Sequence, residues 1–252
     1  MPITQHTVDK SIPVPLYYQL KNIIQDEIAN GKYLPGDPIP TEMELSDHFH
    51  LSRTTVRQAI LEMVGEGKLY RVKSKGTFVS KPKIKQDFTK RLETFRDQIE
   101  RLGMKASTCL LEFSIVPAPE DAASVLHLKR GEPCILLLRK RFANEEPNVI
   151  VRTYLPHIRC LYLEQHDLEK ESLYEILSTC EDTRIYHINR VMEAILATDE
   201  IASLLEIEPG QPIHYFTSIG YNRSGEPVEY SLAHYRGDRN RFEVDIVNEG
   251  NR

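Results

Sequence analysis

The chain has 252 residues, of which 40% are hydrophobic and 27% are charged. This length gives room for two modest domains, and the composition is ordinary for a soluble globular protein. The net charge of −5 argues against a protein that is basic along its whole length. The sequence contains no apolar run of bilayer length and no basic, apolar N-terminal leader, so we expect a cytoplasmic protein without a membrane partner.

Charge is distributed unevenly along the chain. The net charge is −5, but residues 52–85 contain nine Lys/Arg and two acidic residues, a local charge of +7, so the remainder carries −12. A basic module joined to an acidic body is typical of a nucleic-acid-binding domain attached to a second domain with another task.

The four cysteines, at positions 109, 134, 160 and 180, form no CxxC pair and have no closely spaced histidines. This spacing disfavours zinc sites and favours free thiols in a reducing compartment. We therefore expect no metal site, no disulfide and no cofactor.

Two helices are predicted in the first fifty residues. Apolar residues recur at helical spacing over residues 16–28, after a proline and before Asn30-Gly31, which predicts the first helix. The proline-rich segment 33–40 must be extended. Thr41 and Glu44 then form a capping-box pattern, which predicts a second, short helix of about two turns.

The first domain is organised around a third helix. Ser52 is a good N-cap, and an apolar stripe follows it at residues 56, 59, 60 and 63. Arg53 and Arg57 share the opposite face, beside Thr54. Arginine can bind guanine O6 and N7, and hydroxyls can bind phosphates or base edges. Two arginines alone would more often mark a solvated surface, but the preceding short helix and tight turn favour a helix-turn-helix that binds DNA.

A basic hairpin is predicted after this helix. Residues 69–72 and 77–79 alternate as two short strands around Lys73-Ser74-Lys75-Gly76. Lys73 and Lys75 favour a wing that reaches DNA phosphates or the minor groove over a ribbon that only covers the core.

Residues 15–80 resemble the winged helix-turn-helix domain of the GntR family of bacterial repressors. The resemblance is carried by Pro15-Leu16-Tyr17-Tyr18-Gln19-Leu20, Leu34-Pro35-Gly36-Asp37, Pro40-Thr41-Glu42, Leu45-Ser46, Ser52-Arg53-Thr54-Thr55-Val56-Arg57 and Gly76-Thr77-Phe78-Val79. It implies that six residues face the operator, namely Ser52, Arg53, Thr54, Thr55 and Arg57 from the helix and Gly76 from the wing. Where many members carry arginine this chain has Met43, so we expect one DNA-backbone contact to be missing.

The domain boundaries follow from these assignments. We predict a DNA-binding domain over residues 1–80 and an exposed linker over residues 81–87, which has alternating charge, one proline and little to bury. Residues 88–252 then form the second domain.

The second domain contains an internal repeat. Residues 121–133 are echoed by residues 200–212, and each copy runs into a strand, a turn and a second strand. The paired strands are predicted at 135–142 and 149–155, and at 213–221 and 228–235. Additional strands near 107–116, 184–196 and 241–247 and a helix near 89–102 predict an α+β fold with one mostly antiparallel sheet. A groove between two related hairpins is a natural site for a small ligand.

Residues 88–248 resemble the ligand-sensing (UTRA) domain of the HutC subfamily. The resemblance is carried by Arg139-Lys140-Arg141, Glu226-Pro227-Val228-Glu229 and Tyr235-Arg236-Gly237-Asp238-Arg239. It implies a chorismate-lyase-like fold that is used for sensing without catalysis, and a domain through which the protein forms dimers.

Arg139 and Arg141 alternate along one predicted strand, so both project from the same sheet face. Arginine in a nearly apolar strand needs an anionic partner, and spacing alone leaves open whether that partner is a carboxylate such as Glu229 or a ligand. The resemblance implies that the two arginines bind an effector anion and that Glu229 and Tyr235 complete the pocket.

Two segments differ from members that bind phosphorylated sugars. Val151 and Arg152 replace an acidic residue and a serine, and the phosphate-binding segment at 92–96 keeps only Thr94, followed by Phe95. We expect Thr94, Phe95 and Arg152 to belong to the effector site and Arg152 to favour a more anionic or less hydroxylated effector. A sugar phosphate and a carboxylate both remain open.

No glycine-rich phosphate loop, metal spacing or nucleophile elbow supports an enzyme. An enzyme of chorismate-lyase-like fold fused to a DNA-binding domain, and a constitutive DNA-binding protein without an effector, remain the alternatives. We expect a homodimeric repressor that binds palindromic double-stranded operator DNA and is released by a small anionic metabolite.

Overall fold

The computed structural model describes residues 6–72, 75–81, 83–86 and 94–244. The chain divides into two compact units, one over Met1–Pro82 and the other over Lys83–Arg252. Each unit has its own hydrophobic core, as the composition and length predicted. Among the described residues, no helix is long and apolar enough to cross a membrane.

The N-terminal unit contains three helices, α1 (Leu16–Ala29), α2 (Glu42–Phe49) and α3 (Arg53–Gly65), and the hairpin β1 (Leu69–Val72) and β2 (Gly76–Val79). All five elements lie close to their predicted positions. One core joins them, and its buried side chains are Leu20, Ile24, Tyr33, Ile39, Leu45, Phe49, Leu51, Val56, Ala59, Ile60, Met63, Leu69 and Val79.

Capping interactions fix where α2 and α3 begin. The Thr41 hydroxyl accepts a hydrogen bond from the Glu44 amide at 3.2 Å, and the Glu44 carboxylate accepts one from the Thr41 amide at 2.8 Å, which confirms the capping box. His50 adopts φ 51° and ends α2, so that the chain turns directly into Ser52, the N-cap of α3. This is the tight turn that the helix-turn-helix arrangement requires.

An ionic cluster connects α1 to α3. Lys21 is 9% exposed, and its ammonium group lies 3.2 Å from a Glu62 carboxylate oxygen and also contacts Glu66. The contact with Lys21 lowers the pKa of the Glu66 carboxyl. Because Glu62 and Glu66 project from the far end of α3, the cluster helps to fix the orientation of that helix within the N-terminal unit.

The C-terminal unit is built on a six-stranded antiparallel sheet in the spatial order β4-β5-β6-β9-β8-β7. The strands are β4 (Ala106–Pro117), β5 (Pro133–Ala143), β6 (Glu146–Pro156), β7 (His187–Leu196), β8 (Pro212–Tyr221) and β9 (Pro227–Arg236). The helices are α4 (Phe95–Arg101), α5 (Glu120–Val125), α6 (Leu173–Leu177) and α7 (Asp199–Leu205), with a 3-10 turn at Leu161–Gln165. The predicted mostly antiparallel α+β fold is confirmed.

The internal repeat has a direct structural counterpart. Helix α5 precedes the β5–β6 hairpin and α7 precedes the β8–β9 hairpin, and the two hairpins pair with each other through β6 and β9 at the centre of the sheet. Helices α5 and α7 pack on one sheet face. Helix α6 packs on the other face, where α4 also contributes Phe95 to a smaller cluster.

The linker prediction needs a correction. Residues Ile84–Gln86 form strand β3, which pairs in parallel with β10 (Asn240–Phe242), and both Ile84 and Gln86 are buried. The alternating charges masked this short strand because Ile84 and Gln86 bury one side while Lys85 faces solvent. The strand expected near 241–247 corresponds to β10, which pairs with β3 and not with the main sheet, and residues 245–247 of that prediction lie outside the described residues.

The helix expected near 89–102 is α4, whose N-cap is Thr94. Its hydroxyl accepts a hydrogen bond from the Asp97 amide at 3.1 Å. The first part of the expected helix, before Thr94, lies outside the described residues.

Candidate DNA-binding surface and effector cavity

The first turn of α3 presents a polar, basic surface. Arg53, Thr54 and Arg57 are exposed, while the apolar stripe on the opposite side of the helix is buried. Ser52 and Thr55 have a structural task as well: the Ser52 hydroxyl accepts from the Thr55 amide at 3.1 Å, and the two hydroxyls share a hydrogen bond at 2.8 Å. The two arginines and Thr54 are therefore the side chains with most freedom to contact DNA.

The wing contributes a second basic surface. Lys75 is exposed, and Gly76 has φ 128°, a conformation that side-chain-bearing residues rarely adopt. Lys73 lies outside the described residues. Arg71 on β1 was not among the residues predicted from the sequence. Its guanidinium forms an ion pair with Glu42 at the start of α2 and so connects the wing to the helix-turn-helix.

The C-terminal unit contains a partly open cavity of about 590 Å³ on the sheet face that packs against α6. Strands β5, β6, β9, β8 and β7 form its floor, and residues from β3, α4, α6 and β10 form its walls. Six of the seven predicted effector residues line it, namely Thr94, Phe95, Arg139, Arg141, Glu229 and Tyr235. A small cleft of about 30 Å³ beside Thr94 and the two arginines adjoins it.

Strand register explains which side chains reach the cavity. Arg139 lies opposite Val151, which lies opposite Ala233, and the row continues through Phe216 to Met192. All five residues line the cavity. Because side chains alternate between the two faces of a strand, residues two positions away in each strand face the same space.

Arg152 does not belong to the effector cavity in which it was predicted to lie. It lies opposite Leu138 and Leu232, so its side chain projects from the sheet face away from the cavity, where its guanidinium is 3.8 Å from Glu200 of α7. A one-residue step along a strand reverses the face, and Val151 takes the cavity position instead. The effector specificity inferred from Arg152 is therefore withdrawn.

Among the described residues, protein groups only partly compensate the positive charges of Arg139 and Arg141. Arg139 is 3% exposed and Arg141 is partly buried, and the Nε atom of each is buried with no hydrogen-bond partner among the described residues. Burial lowers the pKa of the Arg139 guanidinium, and the neighbouring charge of Arg141 lowers it further. The Arg141 guanidinium also lies 5.2 Å from the centre of the Phe95 ring, within range of a cation–π contact.

Glu229 is the carboxylate that faces the arginines. It is 4% exposed and accepts a hydrogen bond from the Ser231 hydroxyl, which is 2.9 Å from the Thr153 hydroxyl. Its Oε2 atom is buried without a hydrogen-bond partner among the described residues. Burial raises the pKa of the Tyr174 hydroxyl, and the charge of Glu229 raises it further, so this tyrosine stays neutral and can donate.

Several cavity residues were not found from the sequence. Arg190 of β7 lines the cavity, and its Nε donates to the Ser218 hydroxyl at 3.0 Å. Gln98 of α4 and Gln86 of β3 are buried polar side chains in the lining. The alternation of β7 could have indicated Arg190, but only the sheet order brings that strand to the cavity.

Comparison with known proteins identifies the two units. The model of bacterial regulatory proteins of the gntR family matches residues 16–79, and the UTRA domain model matches residues 101–241. The chain belongs to the GntR family. Its pairing of this DNA-binding domain with a UTRA domain is that of the HutC subfamily.

Similar bacterial proteins match this chain along most of their own length. The transcriptional repressor NagR of Bacillus subtilis is 32% identical over 93% of this chain and 96% of its own. The histidine utilization repressor of Pseudomonas putida is 30% identical over 92% of both chains. The crystal structure of PhnF from Mycobacterium smegmatis superposes with a TM-score of 0.64, at 25% identity, over 90% of this chain and 98% of its own.

These relatives are transcriptional regulators and not enzymes, and this GntR-family chain is a regulator with a DNA-binding and an effector-binding domain. The alternative of an enzyme on a chorismate-lyase-like fold is thereby set aside.

Proposed function

We propose that this regulator is a repressor that binds a palindromic operator as a homodimer and is released by a small anionic metabolite. The relatives named as repressors support the direction of control. The exposed arginines at the start of α3 and the exposed Lys75 of the wing support DNA as the partner.

The operator contact follows from the helix geometry. Arg53 and Arg57 lie four residues apart on α3 and reach the same groove, where each can bind a guanine edge through two hydrogen bonds. Lys75 contacts the phosphates beside it without reading sequence. A two-fold dimer presents two such helices to two half-sites about one turn of DNA apart.

The buried arginine pair carries the assignment of an anionic effector. Arg139 and Arg141 lie on one strand with Glu229 as the opposing carboxylate and with both Nε atoms unpaired among the described residues. Two buried cations with one anion are unfavourable, and a bound phosphate or carboxylate supplies the missing charge and hydrogen bonds. The effector releases DNA because it binds the conformer with mismatched recognition helices more tightly than the DNA-competent conformer.

Thermal unfolding against a panel of sugar phosphates, phosphonates and carboxylates tests this function. A ligand at a hundred times its Kd stabilises the protein by about 2.7 kcal/mol, which raises the unfolding midpoint. We expect at least one anion to do so and the same anion to lower operator affinity. Arg139→Gln and Arg141→Gln should abolish the stabilisation.

Arg152→Gln is the matched control because it removes an arginine from the opposite face of the same sheet. It should leave the anion-induced shift intact. An operator-binding protein that no anion stabilises or releases would instead be a constitutive DNA-binding protein, and the proposed effector control would be wrong.

A further inference from the structure

The short strand β3 contributes a buried glutamine to the wall of the effector cavity. Gln86 is the last residue of β3, and it lines the cavity together with Phe242, which lies opposite it on β10. The side chain of Gln86 is fully buried, whereas the neighbouring Lys85 faces solvent. A buried glutamine has an amide nitrogen that donates and a carbonyl oxygen that accepts, and each needs a hydrogen-bond partner.

The nitrogen of Gln86 belongs to a row of buried amide side chains. Gln86 Nε2 donates to Asn240 Oδ1 at 2.8 Å, and Asn240 Nδ2 donates to Asn148 Oδ1 at 2.9 Å. Asn240 Nδ2 also donates to the backbone carbonyl of Arg236 at 2.8 Å. The row therefore connects β3 through β10 to β6 inside the C-terminal unit.

The carbonyl of Arg236 fixes the direction of this row. A carbonyl oxygen only accepts hydrogen bonds, so the Asn240 atom beside it must be the amide nitrogen. That nitrogen uses its two hydrogens on Arg236 and Asn148, and Asn240 Oδ1 is left to accept from Gln86. Gln86 must then turn its nitrogen towards Asn240, which leaves its carbonyl oxygen as the open end of the row.

This open end is an acceptor without a donor. Gln86 Oε1 is buried and has no hydrogen-bond partner among the described residues. Such an oxygen is unfavourable in the folded protein, because in the unfolded chain it bonds to water. Since Gln86 lines the cavity, a hydroxyl or N–H group of a bound ligand supplies the missing donor. The cavity then offers donors to an anion at Arg139 and Arg141 and an acceptor to a second ligand group.

The position of Gln86 in the chain gives this contact a consequence for regulation. The C-terminal unit begins at Lys83, so β3 is the first element that the chain enters after the DNA-binding unit. β3 pairs with β10 over three residues, whereas β7 and β8 pair over ten. A pairing this short opens at a lower free-energy cost than the strands of the main sheet.

We propose that Gln86 binds the effector and that its Oε1 accepts a hydrogen bond from a ligand hydroxyl or N–H group. The effector is then an anion that also carries a hydrogen-bond donor. The bond stabilises the conformer in which β3 is paired with β10, and so transmits occupancy of the cavity to the segment that follows the DNA-binding unit. This inference rests on the proposed function, because it concerns the ligand of the same cavity.

Two matched probe pairs test the proposal by calorimetric titration of the full chain. Sorbitol 6-phosphate and hexyl phosphate share a six-carbon chain and a phosphate and differ in their hydroxyls. The second pair, phenylacetate and its 4-hydroxy derivative, differs in one hydroxyl and lacks phosphate. We expect the hydroxylated anion of at least one pair to bind at least about tenfold more tightly than its partner, the effect of one buried hydrogen bond.

Variants at the two ends of the amide row assign the hydroxyl contact. Gln86→Met keeps the size of the side chain and removes Oε1, so it should reduce the advantage of the hydroxylated anion to less than about twofold. The other anion should bind as before. Asn148→Ala is the matched control, because it removes one hydrogen bond from the other end of the row and keeps Gln86 Oε1. It should retain the advantage, and the unfolding midpoint of each variant checks that it is folded.

Titration with and without operator DNA tests the transmission through β3. Operator should weaken binding of the hydroxylated anion by a factor at least about threefold larger than the factor for its partner. Gln86→Met should make the two factors equal, and Asn148→Ala should leave them different. Equal factors in the unmodified protein overturn the transmission.

The affinities separate this inference from the proposed function. Equal affinities within both pairs overturn the contact with Gln86, as does a tightest-binding anion of the wider panel that binds Gln86→Met unchanged. An advantage that survives in Gln86→Met also overturns it and points to Glu229, whose Oε2 likewise lacks a partner among the described residues. In each case anionic control stands. If no anion of either pair or of the wider panel binds, the proposed function itself fails, together with this inference.

Discussion

Arg53 and Arg57 are the residues on which we expect sequence-specific binding to depend. Both are exposed at the start of α3, and each bidentate contact to a base is worth about 1–3 kcal/mol of discrimination. Alanine at either position should reduce the preference for operator over a mismatched site by that amount. Competition titration at fixed salt measures the preference.

Lys129→Ala is a control for loss of charge, because Lys129 is an exposed basic residue of the C-terminal unit. It should leave operator preference unchanged. Full operator preference in both arginine variants would contradict the assignment of α3 as the recognition helix.

His234 gives a pH-dependent contribution to stability. It lies beside the Tyr215 ring, at 4.8 Å between centres, and burial lowers its pKa from 6.5 to about 4, helped by the charge of Arg152. Between these pH values the unfolded chain binds a proton that the folded chain does not. Stability is therefore complete above pH 6.5 and is lost as the pH falls towards 4.

The full effect would be about 3 kcal/mol at 1.36 kcal/mol per pH unit, and partial exposure of the ring reduces it to about 1–2 kcal/mol. His234→Phe should remove this part of the pH dependence of the free energy of unfolding, measured by urea titration between pH 4.5 and 7. His127→Asn, at an exposed histidine with φ 55°, is the control. If the free energy of unfolding depended on pH equally steeply in His234→Phe and in the unmodified protein, His234 would not be the source of this pH dependence.

The capping box fixes the residue at which α2 begins. Thr41 and Glu44 satisfy two amides of the first turn that would otherwise lack partners. Thr41→Ala should lower the free energy of unfolding of the N-terminal unit by about 1 kcal/mol. Urea titration followed by circular dichroism measures this, and Thr41→Ser, which keeps the hydroxyl, should retain most of the stability.

The alternation of side chains along a strand predicts which residues of that strand share a sheet face, but not which residues of two strands lie side by side. It correctly put Arg139 and Arg141 on one face, because both lie on β5 and their spacing is two residues. It could not relate β5 to β6, because the pairing register that puts Val151 beside Arg139 depends on the turn between the strands. The comparison with members that bind phosphorylated sugars had put Arg152 in the effector site, and the register places Val151 there instead.

At the scale of the whole molecule, effector and operator must affect each other equally. If an anion lowers operator affinity by a given factor, the operator lowers affinity for that anion by the same factor. We expect a factor of about 5–150, which corresponds to about 1–3 kcal/mol of coupling. The anion that stabilises the protein most should be titrated calorimetrically with and without operator DNA, and a factor near one would contradict control of DNA binding by that anion.

The local elements and the family resemblance can be recognised in the amino-acid sequence. The Thr41 and Ser52 caps, the helical apolar stripes and the repeated helix-hairpin unit depend on residues close together in the chain, so their patterns are readable without tertiary structure. The spacing of the arginines on α3 and on β5, and the motifs that carry the family resemblance, likewise involve residues close together in the chain.

The residues that share the cavity are far apart in the chain, and it is the folded sheet that brings them together. Arg190 is about fifty residues from Arg139 along the chain, and the strand order β5-β6-β9-β8-β7 makes both part of one floor. The buried strand pair of β3 and β10 likewise joins segments more than 150 residues apart. The positions of these residues depend on the register and order of the strands. Side-chain packing across the whole unit selects that register and order, so a local sequence pattern does not predict them.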